Sequence, residues 1–181
     1  MSHRAEASAA KIVETPLTRI ADAIDHMNAA IGRAASWCSL FIVFVEFAIV
    51  VMRYVFGVGS IGLQESVLYA QAALVLLAGA WTLQIGGHVR VDVFYANAEP
   101  RTRAFLDLCG ALVFLIPFAT VLAVLSIPYA ARSWAILERS REASGLPFVY
   151  LLKSLIPLFA VSLGLQGLAQ AIRAACILRQ R

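Results

Sequence analysis

Glu46 is the charged residue that lies deepest within an apolar stretch of this sequence. It is the tenth residue of the 20-residue run WCSLFIVFVEFAIVVMRYVF, residues 37–56. A carboxylate at the centre of a bilayer is costly unless it is protonated, paired or reached by water. Three roles are therefore open: proton coupling in a self-sufficient small antiporter, pairing with a polar group of a partner subunit, or a neutral hydrogen bond within the chain to Gln71, Gln84 or Gln166.

A second candidate for chemistry is the motif HVRVD, in which His88, Arg90 and Asp92 alternate along the chain. If extended, these side chains would share one face and could hold a metal ion, but a salt-bridged loop is the favoured interpretation. None of the three histidines lies inside an apolar run, where a membrane haem would need its ligands. The sequence also lacks a glycine-rich phosphate loop and a cysteine pair with metal-ligand spacing. We therefore predict no catalytic, cofactor or metal site, and a protein that is not an enzyme.

The composition defines the environment in which these residues act. Of 181 residues, 61% are hydrophobic and only 14% are charged, and the mean hydropathy is +0.80. Soluble domains carry roughly 25% charged residues, and disordered chains need low hydrophobicity with high charge. The composition excludes both classes and predicts an integral membrane protein.

Four apolar runs are long enough to cross a hydrocarbon core of ~30 Å as helices. They lack the period-two alternation of a membrane barrel, so we predict an all-α membrane protein. The predicted transmembrane helices are residues 37–56, 66–85, 105–127 and 151–172. The other segments are predicted to be an N-terminal cytoplasmic segment, two periplasmic loops, one cytoplasmic loop and a cytoplasmic tail: residues 1–36, 57–65, 128–150, 86–104 and 173–181.

The predicted orientation rests on the distribution of Lys and Arg. Ten of these residues fall on the side of the termini and five on the other side. Because positive charge favours the cytoplasm, both termini are predicted to be cytoplasmic.

An amphipathic helix is predicted over residues 16–35, before the first span. Its apolar residues recur every three or four positions, which draws one stripe along a helix. Two interpretations are open: the stripe lies on the bilayer surface, or it contacts a partner protein. The stripe consists of Leu17, Ile20, Ile24, Met27 and Ile31.

Charged and aromatic residues near the ends of the spans are further candidates for subunit contacts or for the structural framework. Arg53 is predicted to meet Glu65 at the outer membrane surface. Asp107 and Lys153 are predicted at opposite surfaces, where a long side chain reaches water easily. The complete candidate set is Glu46, Arg53, Glu65, His88, Arg90, Asp92, Asp107, Trp134, Glu138 and Lys153.

Three stretches share a family pattern when they are taken in order. Residues 63–95, LQESVLYAQAALVLLAGAWTLQIGGHVRVDVFY, have an acidic residue at the start of a small-residue-rich helix, followed by HVRVD. Residues 101–118, RTRAFLDLCGALVFLIPF, have basic residues and then an Asp at the start of the third helix. Residues 133–168 contain SW, E.S, GLP, K.LIP and LQG in sequence. Together with Arg53 and Tyr54, they resemble the DctQ-type small membrane subunit of tripartite ATP-independent periplasmic (TRAP) transporters, in the branch for keto-acid or mannitol/chloroaromatic-type substrates.

The resemblance implies a role that the composition does not. Such a subunit is a non-catalytic scaffold in the bacterial inner membrane, next to a large membrane subunit that carries the transport path. A periplasmic binding protein delivers an organic acid anion, and an ion gradient drives uptake, usually of Na⁺ bound by the large subunit. The resemblance assigns no role to Glu46, so the small antiporter stays an alternative, as does a regulatory or assembly membrane protein.

Overall fold

The computed structural model describes residues 16–88 and 98–179, and the regular elements of these two segments are all helical. They comprise α1 Pro16–Val55, α2 Ile61–Gln84, α3 Pro100–Cys109, a π-helical segment Gly110–Leu115, α4 Ile116–Ala135 and α5 Val149–Arg179. Four helical units in the described residues are long and apolar enough to cross a membrane: α1, α2, the combined unit Pro100–Ala135, and α5. The predicted all-α architecture with four spans is confirmed.

Helix α1 joins the predicted amphipathic helix and the predicted first span without a break. Its 40 residues extend for about 60 Å at 1.5 Å per residue, twice the ~30 Å of a hydrocarbon core. The most apolar part is the second half, so the first half extends beyond the hydrocarbon region. The third unit and α5 also continue past the predicted spans, because a helix does not have to end where its apolar residues end.

Helix α5 is the centre of the bundle. It contacts α1, α2, α3, the π-helical segment and α4, whereas α3 and α4 do not contact α1 or α2 within the described residues. A third of its most apolar window is buried inside the chain, against 11% for each other span. Much of the remaining apolar surface faces outward, as expected for helices surrounded by lipid or by another membrane protein.

Two glycines allow the helices to approach closely. A Cβ on Gly32 of α1 would lie 2.6 Å from side-chain atoms of Trp81 in α2. A Cβ on Gly79 of α2 would lie 2.7 Å from the ring of Phe159 in α5. Both distances are too short for real carbon atoms, so the two aromatic rings fill space that only glycine leaves free. Small residues at contacts are typical of membrane helix packing.

The third unit changes its hydrogen-bond pattern just before Pro117. The N–H of Ile116 donates to the carbonyl of Ala111, five residues earlier. Proline has no N–H, and its ring crowds the carbonyl of the residue four positions earlier. A wider π turn is one of the ways in which a membrane helix absorbs this defect, and the helix continues across the membrane.

Candidate functional site

Four of the predicted framework residues come together where α4 meets α5. They are Glu65 from the first turns of α2, Trp134 from the end of α4, Glu138 from the following loop and Lys153 from the first turns of α5. We call this group the loop-end cluster. The sequence offered these residues only as separate candidates, and the folding of loop 136–148 brings them together.

Glu65 fastens loop 136–148 to α2. The backbone N–H of Leu146 donates to Glu65 Oε2 over 2.6 Å, and the Ser140 hydroxyl donates to Oε1. Gly145 leaves room for this contact, because a Cβ there would lie 2.7 Å from Glu65 Oε1. Arg53 is exposed at the end of α1 and is not among these partners, so the predicted pairing of Arg53 with Glu65 is not found.

Glu138 and Lys153 form an ion pair within the loop-end cluster. Lys153 Nζ lies 2.5 Å from Glu138 Oε2, and the Ser133 hydroxyl donates to the same oxygen over 2.7 Å. The ammonium group also lies 4.3 Å from the centre of the Tyr129 ring, within cation–π range. The hydrogen bond from Lys153 lowers the pKa of Glu138 from its usual range, with the bond from Ser133 as the next cause. Glu138 is therefore held as a carboxylate.

Trp134 links the end of α4 to the start of α5. Its indole N–H donates to Ser154 Oγ over 2.7 Å, and its ring meets Tyr150 edge-on with centroids 4.6 Å apart. All of these polar groups have partners within the chain. The loop-end cluster therefore joins the helices at this end of the bundle.

A second polar cluster lies between α1 and α5, and sequence reasoning missed it. Gln166 and Asn28 are 0% and 1% exposed, and Asn28 Nδ2 donates to Gln166 Oε1 over 2.7 Å. Gln166 Nε2 donates to Asp25 Oδ1 over 2.8 Å. Arg173 Nη2 lies 2.5 Å from Asp25 Oδ2 and 2.8 Å from Asp22 Oδ1. We call these five residues the α1–α5 polar cluster.

The sequence of α1 contains a pattern that could have indicated this cluster. Asp22, Asp25 and Asn28 recur every three residues, so they follow one side of the helix. That side is next to the predicted apolar stripe. The face of α1 that packs within the chain is thus the small and polar one, together with residues such as Ala21, Ala29 and Gly32.

The predicted apolar stripe mostly faces away from the chain. Leu17, Ile20 and Met27 are 55%, 51% and 40% exposed, whereas Ile24 is buried against Ala21 and Ala169. Ile31 is half-buried. Both interpretations of the stripe, bilayer contact and partner contact, stay predictions.

Glu46 lies on the exposed surface of α1. Of its predicted partners within the chain, Gln166 bonds to Asn28 and Asp25, and Gln71 is itself exposed. In the described part of the chain, no hydrogen bond or ion pair holds Glu46. The interpretation in which Glu46 is hydrogen-bonded inside its own bundle is not supported.

A cavity of about 390 Å³ lies beside α3 and α5. Gln84, Arg103, Asp107, Gln170 and Arg173 supply its polar lining. Asp107 therefore faces a polar space, while His88 is exposed just after α2. Arg90 and Asp92 fall outside the described residues, and within the described ones no group of three or more His, Cys, Asp or Glu could hold a metal ion.

The comparison with known proteins gives one result that covers most of the chain. A family model described as "Tripartite ATP-independent periplasmic transporters, DctQ component" matches residues 42–177. No curated protein and no solved structure gives a match. The matched segment includes the loop-end cluster, Glu46 and the α5 half of the α1–α5 polar cluster, whereas the first half of α1 lies before it.

Proposed function

Because the chain belongs to the DctQ family of tripartite ATP-independent periplasmic transporter components, we propose that it is the non-catalytic scaffold subunit of such a transporter. It pairs with a large membrane subunit that carries the transport path. A periplasmic binding protein delivers an organic acid anion to this pair. An ion gradient, with Na⁺ bound by the large subunit, drives uptake across the bacterial inner membrane.

The observation that carries this proposal is how the chain uses its polar side chains. A transport path needs polar groups that exchange their partners for a solute. Here Asn28 and Gln166 bond to each other, and Glu138 bonds to Lys153 and Ser133. Glu65 of α2 accepts a hydrogen bond from Leu146 in loop 136–148. Such groups fix helices relative to one another, as a scaffold requires.

The position of Glu46 favours the scaffold over a self-sufficient antiporter. A coupling carboxylate must be reached by water and by the solute. Glu46 is on the outer surface of α1. It does not line the cavity between α3 and α5, the one along α4 and α5, or the one beside Leu17.

The proposed orientation places both termini in the cytoplasm. Four crossings put the termini on one side, and ten of the fifteen Lys and Arg residues fall on that side. The loop-end cluster then faces the periplasm, and the α1–α5 polar cluster lies near the cytoplasmic surface. Cysteine introduced at Ser144, in the exposed part of loop 136–148, should react with a membrane-impermeant reagent added outside the cell.

The scaffold role is tested by purification and reconstitution. The tagged chain is extracted from membranes of its host, where a much larger membrane protein should co-purify with it. In liposomes, the chain alone should move no organic acid anion under a Na⁺ or proton gradient, and the co-purified assembly with its binding protein should. Gradient-driven uptake by the chain alone would contradict the proposal.

A further inference from the structure

Glu46 belongs to an exposed line of residues along the membrane half of α1. Ser39, Val43, Glu46, Val50 and Arg53 are separated by four, three, four and three positions, and all five are exposed. We call this line the Glu46 stripe. It extends over about 21 Å of helix, most of the thickness of a hydrocarbon core.

The polar residues of the stripe repeat at a heptad interval. Ser39, Glu46 and Arg53 are each seven positions apart, with Val43 and Val50 between them. A 3.5-residue period is the pattern along which a second helix packs at about +20° in a left-handed pair. Membrane helix pairs commonly use this geometry, with polar groups that hydrogen-bond across the contact.

Contact between the Glu46 stripe and lipid would be energetically unfavourable. A carboxyl group near mid-depth would face acyl chains that offer it no hydrogen bond, and intramembrane carboxylates almost always face protein or a water-filled space. Apolar side chains cover the opposite side of the same helix, where Phe41 and Phe44 are 46% and 68% exposed. The two sides of α1 are therefore chemically different surfaces at the same depth.

Contact between the Glu46 stripes of two copies of the chain would also be unfavourable. Two copies in one membrane have the same orientation, so a symmetric contact along this line would place Glu46 against Glu46 and Arg53 against Arg53. Like charges facing each other destabilise such a contact. An acidic residue followed by a basic residue along the stripe instead favours contact with a different helix, one that has a hydrogen-bond donor opposite Glu46 and an acceptor opposite Arg53.

We propose that the Glu46 stripe is the docking line for one transmembrane helix of the large membrane subunit. That helix carries a basic or amide donor near mid-depth and an acidic or amide acceptor about two turns closer to the end of α1. This inference rests on the proposed function, because it takes its partner from the tripartite assembly. It adds the surface and the chemistry of the contact.

Photocrosslinking tests the docking line in the intact complex. Benzoylphenylalanine is introduced at Val43 or Val50 in the stripe, and at Phe41 or Phe44 as matched controls on the opposite side of α1. After irradiation of host membranes, the stripe positions should give adducts with the large membrane protein at least about five times more abundant than those of the controls.

The outcomes separate the inference from the proposed function. If the unmodified chain co-purifies with the large protein but Phe41 and Phe44 capture it while Val43 and Val50 do not, the docking line is wrong and the scaffold role stands. Adducts of Val43 or Val50 with a second copy of this chain, or with lipid alone, also overturn the docking line. If no large membrane protein accompanies the chain, both proposals fail.

Substitution of Glu46 tests the chemistry. Glu46→Leu should insert normally and reach wild-type abundance in the membrane, because it removes only a costly group. It should lower the recovered large subunit by at least about fivefold, and Glu46→Gln, which keeps a hydrogen-bonding amide, should retain more of it. Equal recovery with Glu46→Leu and wild type would show that Glu46 contributes nothing to docking.

Discussion

Asn28 in the first half of α1 and Gln166 in α5 are joined by a direct side-chain hydrogen bond of 2.7 Å, although both residues are almost completely buried. They are 138 positions apart in the chain. The side-chain N–H of Gln166 donates to Asp25, and Asp25 in turn pairs with Arg173. The contact between the first and last helices therefore depends on a chain of polar groups rather than on apolar packing alone.

Gln166→Leu should weaken this contact measurably. It removes one hydrogen-bond partner of Asn28 and one of Asp25, and these two residues are buried and half-buried. We expect a loss of about 1–3 kcal/mol in the free energy of unfolding, measured by denaturant titration in detergent micelles. Gln71→Leu is the matched control, because Gln71 is exposed in α2. Equal effects of the two substitutions would contradict the importance of the cluster.

The Glu138–Lys153 pair should make stability depend on pH. The pKa of Glu138 is lowered in the folded protein, chiefly by the hydrogen bond from Lys153. Its stabilising contribution is therefore complete above the ordinary carboxyl pKa and is lost as the pH falls through the lower, folded value. Glu138→Gln should remove that part of the pH dependence when the melting temperature is followed from neutral to acidic pH.

Glu142→Gln is the control for this titration. Glu142 is exposed and is held in the loop through its backbone N–H, which donates to Ser140 Oγ over 3.2 Å. This variant should keep the loss of stability at acidic pH that is expected for the wild type. If both variants titrate alike, Glu138 is not the group responsible.

Gly79→Ala should destabilise the contact between α2 and α5. The new Cβ would lie 2.7 Å from the Phe159 ring, and overpacking of this kind costs about 1–3 kcal/mol. Adding Phe159→Leu should recover part of the loss, because it removes the ring edge that the methyl group meets. Gly110→Ala is the control, since nothing lies within 4 Å of a Cβ there, and it should be neutral or stabilising in the same denaturant titration.

Leu137→Gly should stabilise the end of α4. Leu137 has a φ of +46°, in the left-handed region that costs a residue with a Cβ about 1–2 kcal/mol. Its position after the helix is one where glycine is usual, and the N–H of Glu138 donates back to the carbonyl of Ser133 over 3.0 Å. Because glycine also gains freedom in the unfolded chain, we expect a net rise of up to about 1 kcal/mol in unfolding free energy.

The neighbouring residue supplies the contrast for this prediction. Ile136 has a φ of −106°, which any residue adopts without strain. Ile136→Gly should therefore lower stability or leave it unchanged. A stabilising effect at Ile136 of the same size as at Leu137 would show that backbone strain is not the cause.

The four spans could be predicted from the sequence because each apolar run is as long as the bilayer requires. The loop-end residues could be named one by one, since Glu65 and Lys153 are charges at the ends of apolar runs and Glu138 is a charge in the loop between two such runs. Their partners could not be predicted, because partner choice depends on the path of loop 136–148. The expected pairing of Arg53 with Glu65 was wrong for that reason: the loop reaches Glu65 with Leu146 and Ser140.

The α1–α5 polar cluster was missed for a different reason. Periodicity shows which face of a helix is apolar, and in soluble proteins that face is the buried one. Contacts between the helices of membrane proteins are instead rich in small and polar residues, and the face of α1 that packs within the chain is of this kind. Asn28 is therefore buried and Asp25 half-buried, whereas Leu17 and Ile20 are exposed, although their apolar pattern would bury them in a soluble protein.

Because α1 is one uninterrupted helix, the angle about its axis between the residues that contact α5 and the Glu46 stripe is fixed. Asp25 and Glu46 are 21 positions apart on one helix, so the direction in which the Glu46 stripe points is set by the way the first half is held against α5. One residue inserted between Ala35 and Glu46 would turn the stripe by about 100° relative to that anchor, and seven inserted residues would nearly restore it. Insertions in α1 should therefore be tolerated according to their helical phase rather than their size.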